Sequence, residues 1–458
     1  MKRSHSSVSS IRKSSRSSSY YNQIVKTGQQ VLSKKPKICE TVGIPHSHYP
    51  PVFDLVNADG RDLPVAGTRR VVRDETASWM TDSIRMKKWF SKDKELLQKL
   101  GILTLMCPTV SEMKSREYAA FLAMMKRFWP KAKHVFAYNA GGLATNEAAK
   151  AMVAQVMIEN GLKPKQMKLV ALEKGFHGRH GWGVELTQPS HKIDDWQCGR
   201  VIHLPSPYIV YDEVGNEIPK ETKKRVTTTL AELKKAFQRP EVAGIMFEYP
   251  FQAEGGAYVL PVEFLEGVRI LCDRYRKFLA IDAVQMGGKG WPVLPREGLR
   301  VSDYICFGKF SRVCGILAKD PQKRGFKVDH LTLPAKYGAT WAGRLADMVA
   351  IQAMIRVIEE NKLWENGKKM AQRFYRGLVR FAKAGKPLIR PRIRGTYVGF
   401  EFPTKEIRDE FSKQMYEKEN TLVLPAGEVA VRWSAMLDAE IQEIDDFLEK
   451  IDRVLKRF

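Results

Sequence analysis

The stretch Phe278-Leu279-Ala280-Ile281-Asp282-Ala283-Val284-Gln285-Met286-Gly287-Gly288-Lys289-Gly290, with Ser302-Asp303-Tyr304-Ile305-Cys306-Phe307-Gly308-Lys309 after it, decides how this chain is read. Its first four residues are an apolar run of the length of a short buried strand, and Tyr304-Ile305-Cys306-Phe307 reads as a second one. A carboxylate, Asp282, therefore closes one strand, and Lys309 closes the next. A lysine can form a Schiff base with an aldehyde cofactor, and a carboxylate can keep a pyridine nitrogen protonated so that the ring accepts electrons. Strand-end aspartates and Gly-Lys turns also occur with no chemistry attached, so the neighbouring segments have to decide.

Working upstream, strands alternate with helices. The run His134-Val135-Phe136-Ala137-Tyr138 leads through Asn139-Ala140-Gly141-Gly142 into an alanine-rich helix. The free N–H groups at such a helix start bind phosphate, and glycine lets the anion come close. Tight packing alone also selects small residues there, and no Walker or dinucleotide fingerprint is present. A strand over 168–172 runs into the loop Phe176-His177-Gly178-Arg179. A basic helix over 220–238 has the composition of a solvated surface. A strand over 242–247 leads to Tyr249-Pro250-Phe251-Gln252-Ala253-Glu254-Gly255-Gly256, and a helix over 262–277 returns to the opening stretch. Nearer the N-terminus, 51–60 looks like a strand entering an Asp59-Gly60 hairpin turn. A helix over 111–129 would put Tyr118, Phe121, Leu122, Met125 and Phe128 on one face.

This alternation predicts an α/β fold with a mainly parallel sheet whose ligands sit at the carboxyl ends of the strands. From 345 a long helical run extends into the 370s, and short strands over 396–402 and 421–424 follow. The expected organisation is a basic tail over 1–39, an N-terminal segment over 40–94 packing on the small domain, a large domain over 95–345 and a small α+β domain over 346–458.

The 458 residues suffice for a large core, and none of their stretches is long and apolar enough to span a bilayer, so a soluble protein is expected. Six cysteines form no CxxC pair and nine histidines no HExxH, which points away from a disulfide scaffold or structural zinc and fits a reducing compartment. The net charge of +25 favours polyanionic partners. Residues 1–39 carry nine Lys or Arg and no acid, so +16 remains on the body. The tail has the basic, serine-rich, acid-poor make-up of a mitochondrial transit peptide, which points to the matrix; a nucleic-acid-binding arm is the competing reading.

Several segments then stand together: Phe176-His177-Gly178-Arg179, Gln252-Ala253-Glu254-Gly255-Gly256, Asp282-Ala283-Val284-Gln285, Gly308-Lys309 with Val313-Cys314-Gly315, Thr340-Trp341 and Leu424-Pro425-Ala426-Gly427. In that order and spacing, the chain resembles the class III (ω-amino acid) aminotransferases that use pyridoxal phosphate, and among them the lysine ε-aminotransferases. The resemblance runs from about residue 50 to the C-terminus. It implies a fold-type I transferase acting as a homodimer with shared active sites. By that resemblance Lys309 would carry the cofactor and shuttle a proton, Asp282 would pair with the ring nitrogen, and Gln285 would lie near the ring hydroxyl. Phe176 would stack on the ring, Gly141 and Gly142 would cradle the phosphate, and Thr340 would reach in from the other subunit.

The departures concern the substrate. Ala283 replaces a family glutamate, and Tyr249 stands where the gate-forming glutamate is expected, with Glu248 able to substitute after a one-residue slip. The second arginine of the family's Arg-Phe-Arg falls on Ser434, and Arg432 takes its place only if the strand register shifts. Arg179 remains to bind a dicarboxylate such as 2-oxoglutarate bidentately. Two readings follow. The first is an aminotransferase moving an amino group from an ω-amino acid or diamine to a 2-oxo acid. The second is a catalytically degenerate subunit of an RNA-containing assembly such as a mitochondrial ribosome, suggested by the charge and the eroded substrate clamp.

Overall fold

The computed structural model describes residues 53–106, 113–188 and 197–458. The tail over 1–39, with both of its readings, lies outside them. At the Asp-Gly signal, Asp59 and Asp62 exchange both backbone hydrogen bonds, at 3.1 and 2.9 Å, around Gly60-Arg61. Gly60 takes the left-handed conformation that a two-residue hairpin loop requires. The turn leads into β1 (Asp62–Pro64) and β2 (Val71–Asp74), and β2 also pairs in parallel with Thr421–Leu422, which ties the N-terminal segment to the C-terminal part.

After α1 (Lys94–Leu105) and α2 (Arg116–Phe128) comes the central sheet. Its strands are β3 (His134–Tyr138), β4 (Lys168–Leu172), β5 (Val201–Leu204), β6 (Val242–Glu248), β7 (Phe278–Asp282), β8 (Tyr304–Phe307) and β9 (Cys314–Ala318), in spatial order β3-β9-β8-β7-β6-β4-β5. All run parallel except β9. Every residue of β6 and β7 is buried, which is why both read as unbroken apolar runs rather than alternations. Helix α2 starts where the Ser115 hydroxyl caps Tyr118 N–H at 3.1 Å, and it buries Phe121 and Met125 of the expected face. Helix α3 (Gly141–Asn160) is buried along most of its length because its alanines let it lie close against the sheet, and Gly161 stops it in the left-handed conformation. Helices α4 (Pro219–Phe237) and α5 (Val262–Arg274) flank β6.

The long helical run expected from 345 is two helices, α6 (Leu345–Glu360) and α7 (Leu363–Lys383), because Lys362 takes a positive φ between them. α6 packs into the core of the large sheet. α7 opens a second core with β10 (Ile389–Arg394), β11 (Tyr397–Glu401), α8 (Lys405–Glu419), β12 (Leu424–Ala426), β13 (Ala430–Ser434) and α9 (Ile441–Leu455). The Phe374 ring sits 4.3 Å from Trp433 and 5.1 Å from Phe447 at its centre. No helix among the described residues is long and apolar enough to cross a membrane.

Candidate active site

The carboxyl ends of β6, β7 and β8 meet the start of α3, as expected of a ligand site in an open parallel sheet. Asp282 ends β7 level with Glu248 on one side and Cys306 on the other. It is buried, and each oxygen has a partner: Oδ2 lies 2.8 Å from His177 Nδ1, and Oδ1 accepts from Val284 N at 3.0 Å. A charged or neutral histidine can donate through Nδ1 and hold the carboxylate in one orientation. In the sequence, adjacency to Phe176 is the only signal that His177 carries.

Beside Asp282 the backbone is kept bare. A Cβ on Gly141 would lie 2.6 Å from Val284 Cγ1, and one on Gly178 would lie 2.7 Å from Gly142 Cα. α3 starts at Ala140 with no side-chain cap, so its first N–H groups are available to an anion. Phe176 is half-buried at the rim, its N–H given to Glu248 Oε2 at 3.2 Å. Glu248 also accepts from Ala253 N at 3.3 Å, and burial, then the nearby Asp282 charge, pushes its carboxyl well above the usual range.

Lys309 opens a short 3-10 turn with φ at 52°. Its Nζ donates to Gln285 Oε1 at 3.4 Å, and the same oxygen accepts from Arg432 Nη1 at 2.7 Å. Arg432 Nη2 in turn pairs with Glu254 at 3.0 Å. One amide oxygen thus joins the lysine to a buried guanidinium whose other face is held by an acid. Burial opposes the Arg432 charge, but Glu254 and Tyr397 beside it hold its pKa above the ordinary value.

The expectation that Arg432 reaches the site only after a register shift is not met. Arg432 enters the site in an unbroken antiparallel register, Gly399 opposite Arg432 and Tyr397 opposite Ser434, with no shift. Ser434 stays between the strands, its hydroxyl 3.1 Å from Thr396 Oγ1. Tyr249 is not at the site's carboxylate pair: it is buried, gives its hydroxyl to Glu297 at 3.2 Å, and leaves Glu254 as the acid facing the guanidinium. The signal for Glu254 was present in Gln252-Ala253-Glu254-Gly255-Gly256, but a sequence does not say which of two nearby acids turns inward. Arg179 is exposed, as is Thr340, in a loop fixed by Gly343 N–H on Asn139 Oδ1 at 2.8 Å.

The lysine, the held aspartate and the uncapped helix start fit pyridoxal phosphate, and the fold is that of the fold-type I transferases. The chain belongs to the class III aminotransferases, whose family model, Aminotransferase class-III, matches residues 100–455, and these enzymes use pyridoxal phosphate. It is 29% identical over 422 residues to an L-lysine-epsilon aminotransferase of Mycobacterium tuberculosis, covering 86% of this chain and 89% of the relative. To the corresponding protein of Streptomyces clavuligerus it is 24% identical over 409 residues, covering 81% and 87%. The solved lysine aminotransferase from M. tuberculosis in the internal aldimine form superposes with a TM-score of 0.83 at 26% identity, covering 94% of this chain and 99% of that one.

Proposed function

We propose that this chain is an active aminotransferase that takes an amino group from a lysine-like ω-amino acid or diamine and passes it to a 2-oxo acid such as 2-oxoglutarate. The observation that carries the reading is the shared Gln285 oxygen, which sets the Lys309 amine and the Arg432 guanidinium side by side. Pyridoxal phosphate, when bound, supplies an electron-accepting ring. Asp282, oriented by His177, would keep a ring nitrogen protonated, and Phe176 would flank the ring. The start of α3 at Gly141 and Gly142 would hold the phosphate. The Lys309 Nζ takes a proton from the carbon bearing the donor's amine and returns it on the other side of the exchange. Arg432, released from Glu254, takes a substrate carboxylate, and Arg179 at the mouth suits the second carboxylate of a dicarboxylic acceptor.

A second copy of the chain completes the site in this reading. Helix α1 buries none of its residues, and Leu97, Ile102, Leu105 and Trp341 are exposed, the last next to Thr340. Such an apolar surface is what a homodimer covers. Light scattering on purified protein tests this, and a monomer at micromolar concentration would remove Thr340 from the site.

The alternative of a non-catalytic subunit rests on the positive charge, the basic tail and the substrate-side departures; the Arg432–Glu254 pair supports the enzymatic reading against the last of these. For location, the composition of residues 1–39 supports import into the mitochondrial matrix. Fractionation of cells expressing the full chain and a version lacking those residues tests it. The enzymatic reading is tested by visible absorption with added pyridoxal phosphate, borohydride reduction and peptide mapping. Cofactor trapped on Lys309 and discharged by L-lysine with 2-oxoglutarate converted to glutamate is expected; a protein that takes up no cofactor sinks it.

A further inference from the structure

Helix α7 carries charge of one sign along its outer side. From Lys368 onward its exposed residues are Lys368, Lys369, Arg373, Arg376, Arg380 and Lys383, and none is an acid. From Lys369 to Lys383 they recur at intervals of four, three, four and three residues, which lines them up on one face of the helix. Like charges one turn apart repel, a cost that a merely solvated helix avoids by interspersing acids. Helix α9 does so, with Asp446 and Glu449 exposed beside Arg453. The helix dipole favours cations in the last turn only, which covers Arg380 and Lys383 and not the others.

The acids nearby are already taken. Asp445 of α9 accepts from Arg373 Nε and Nη2, both at 2.6 Å, and lies within the influence of Arg380. Asp452 pairs with Lys386 and Lys456, and Glu449 faces Arg453. Arg390, Arg392 and Arg394 of β10 are each held by Glu401 or Glu297. Lys368, Lys369, Arg376, Arg380 and Lys383 make no ion pair among the described residues. Over residues 362–394 eleven Lys or Arg stand against one acid, Glu365, so the excess is local to this helix and its exit. Phe374 packs on Trp433, while Arg432, next to it in β13, reaches the other way to Gln285. The stripe therefore lies on the side of the small sheet turned away from the site.

We infer that this side of α7 binds the phosphate backbone of a double-helical nucleic acid. Lys369 and Lys383 are about 21 Å apart along the helix axis, the span of roughly six phosphates of one strand at ~3.4 Å each. No exposed aromatic stands on α7, so bases have nothing to stack on, and the surface suits a duplex, whose phosphates face outward. Three of the aligned cations are arginines, whose forks grip phosphate oxygens through paired hydrogen bonds. Such binding follows charge rather than base sequence. It leaves the site on the other side of the sheet open, so it stands independently of the aminotransferase reading.

The test is fluorescence anisotropy of a labelled RNA duplex with the full chain, repeated over a series of salt concentrations. Arg376→Glu combined with Arg380→Glu breaks the stripe. Lys234→Glu combined with Lys235→Glu, on exposed positions of α4, changes the net charge by the same amount elsewhere. The full chain is expected to bind duplexes of unrelated sequence with similar micromolar affinity. The α7 variant should bind about tenfold or more weakly, with a log–log salt slope shallower by about two, and the α4 variant within about threefold of the full chain. Arg376→Gln combined with Arg380→Gln introduces no acid and should show the same change in slope, with a melting temperature no lower, since like charges have been removed. Duplex binding weaker than about 10⁻⁴ M by the full chain would overturn the assignment. So would equal losses in the α7 and α4 variants, which would make the effect one of net charge. Binding retained in full by both α7 variants would place the contact elsewhere, and binding to phosphatidylserine vesicles in place of the duplex would make the surface a membrane contact; either result overturns it too.

Discussion

In the aminotransferase reading proposed above, the site has two walls built differently. The cofactor wall comes from one sheet and one helix: Asp282, Lys309, Gly141 and Gly142 stand at strand and helix ends within the large core, and both Asp282 oxygens are paired. The substrate wall comes from the small sheet, where Arg432 reaches across to Gln285 and Glu254 and two donors, Arg432 Nε and the Tyr397 hydroxyl, are left unpaired among the described residues. The first wall holds fixed charges for a ligand that stays. The second holds charges in pairs that a ligand can exchange, since an acid already present on a guanidinium can give way to another. Orphan donors are tolerable in a wall meant to be filled, and costly in one that is not.

Breaking the first wall should cost the most. Lys309→Ala is expected to lower kcat by roughly 10⁴-fold or more and to abolish borohydride trapping, since the amine has no substitute at that position. Measurable turnover at a tenth of the normal rate would mean that another amine serves. Asp282→Asn keeps the shape but removes the charge, and should lower kcat by about 10²- to 10³-fold, in line with other removals of a buried electrostatic partner. An unchanged rate there would detach the His177–Asp282 pair from the chemistry.

Changes in the second wall should appear in KM rather than kcat. Arg432→Met leaves Glu254 unpaired and is expected to raise KM for L-lysine by about 10²-fold or more while cofactor uptake persists. If cofactor uptake fails as well, the two walls are not separable and the comparison breaks. Sharpening it, Glu254→Gln frees the guanidinium from its ion pair, so glutarate should bind more tightly, by about tenfold, in calorimetry.

The same division governs what the sequence discloses. Cofactor-wall groups lie in short contiguous runs such as Asp282-Ala283-Val284-Gln285, where strand-end placement follows from an apolar run, so their positions were legible. The order of the parallel strands and the two helices replacing one run after 345 were less so, the break resting on the backbone of Lys362 alone. The small-sheet wall was less legible because its members are far apart: Arg432 and Gln285 are 147 residues distant. Ser434 and Arg432 share a face of β13, and nothing local tells which side chain crosses to the large sheet. Tyr397 carried no motif at all. Tyr249 and Glu254 illustrate the same point, since the acid that turns inward depends on how the chain leaves β6.

A control outside both walls comes from Lys289, in the glycine-rich run after Gln285. It is buried, its ammonium 3.4 Å from the Asp82 carbonyl, and burial pulls its pKa down to about 8, with Asp82 opposing and Arg61 assisting. In the unfolded chain a lysine titrates near 10.5. Below pH 8 both states are charged, and the folded state carries the whole penalty of the buried charge. Between the two values only the unfolded state keeps its proton, so stability rises with pH and the penalty fades. The gap corresponds to roughly 3 kcal/mol at most. Lys289→Met, which keeps the straight apolar stem, should therefore raise the melting temperature of the cofactor-free protein at pH 7 and have little effect at pH 10. An equal gain at both pH values would mean that packing, not charge, sets the effect. A loss at pH 7 would mean that the Asp82 contact outweighs burial, and Lys289 would then belong with the paired groups of the cofactor wall.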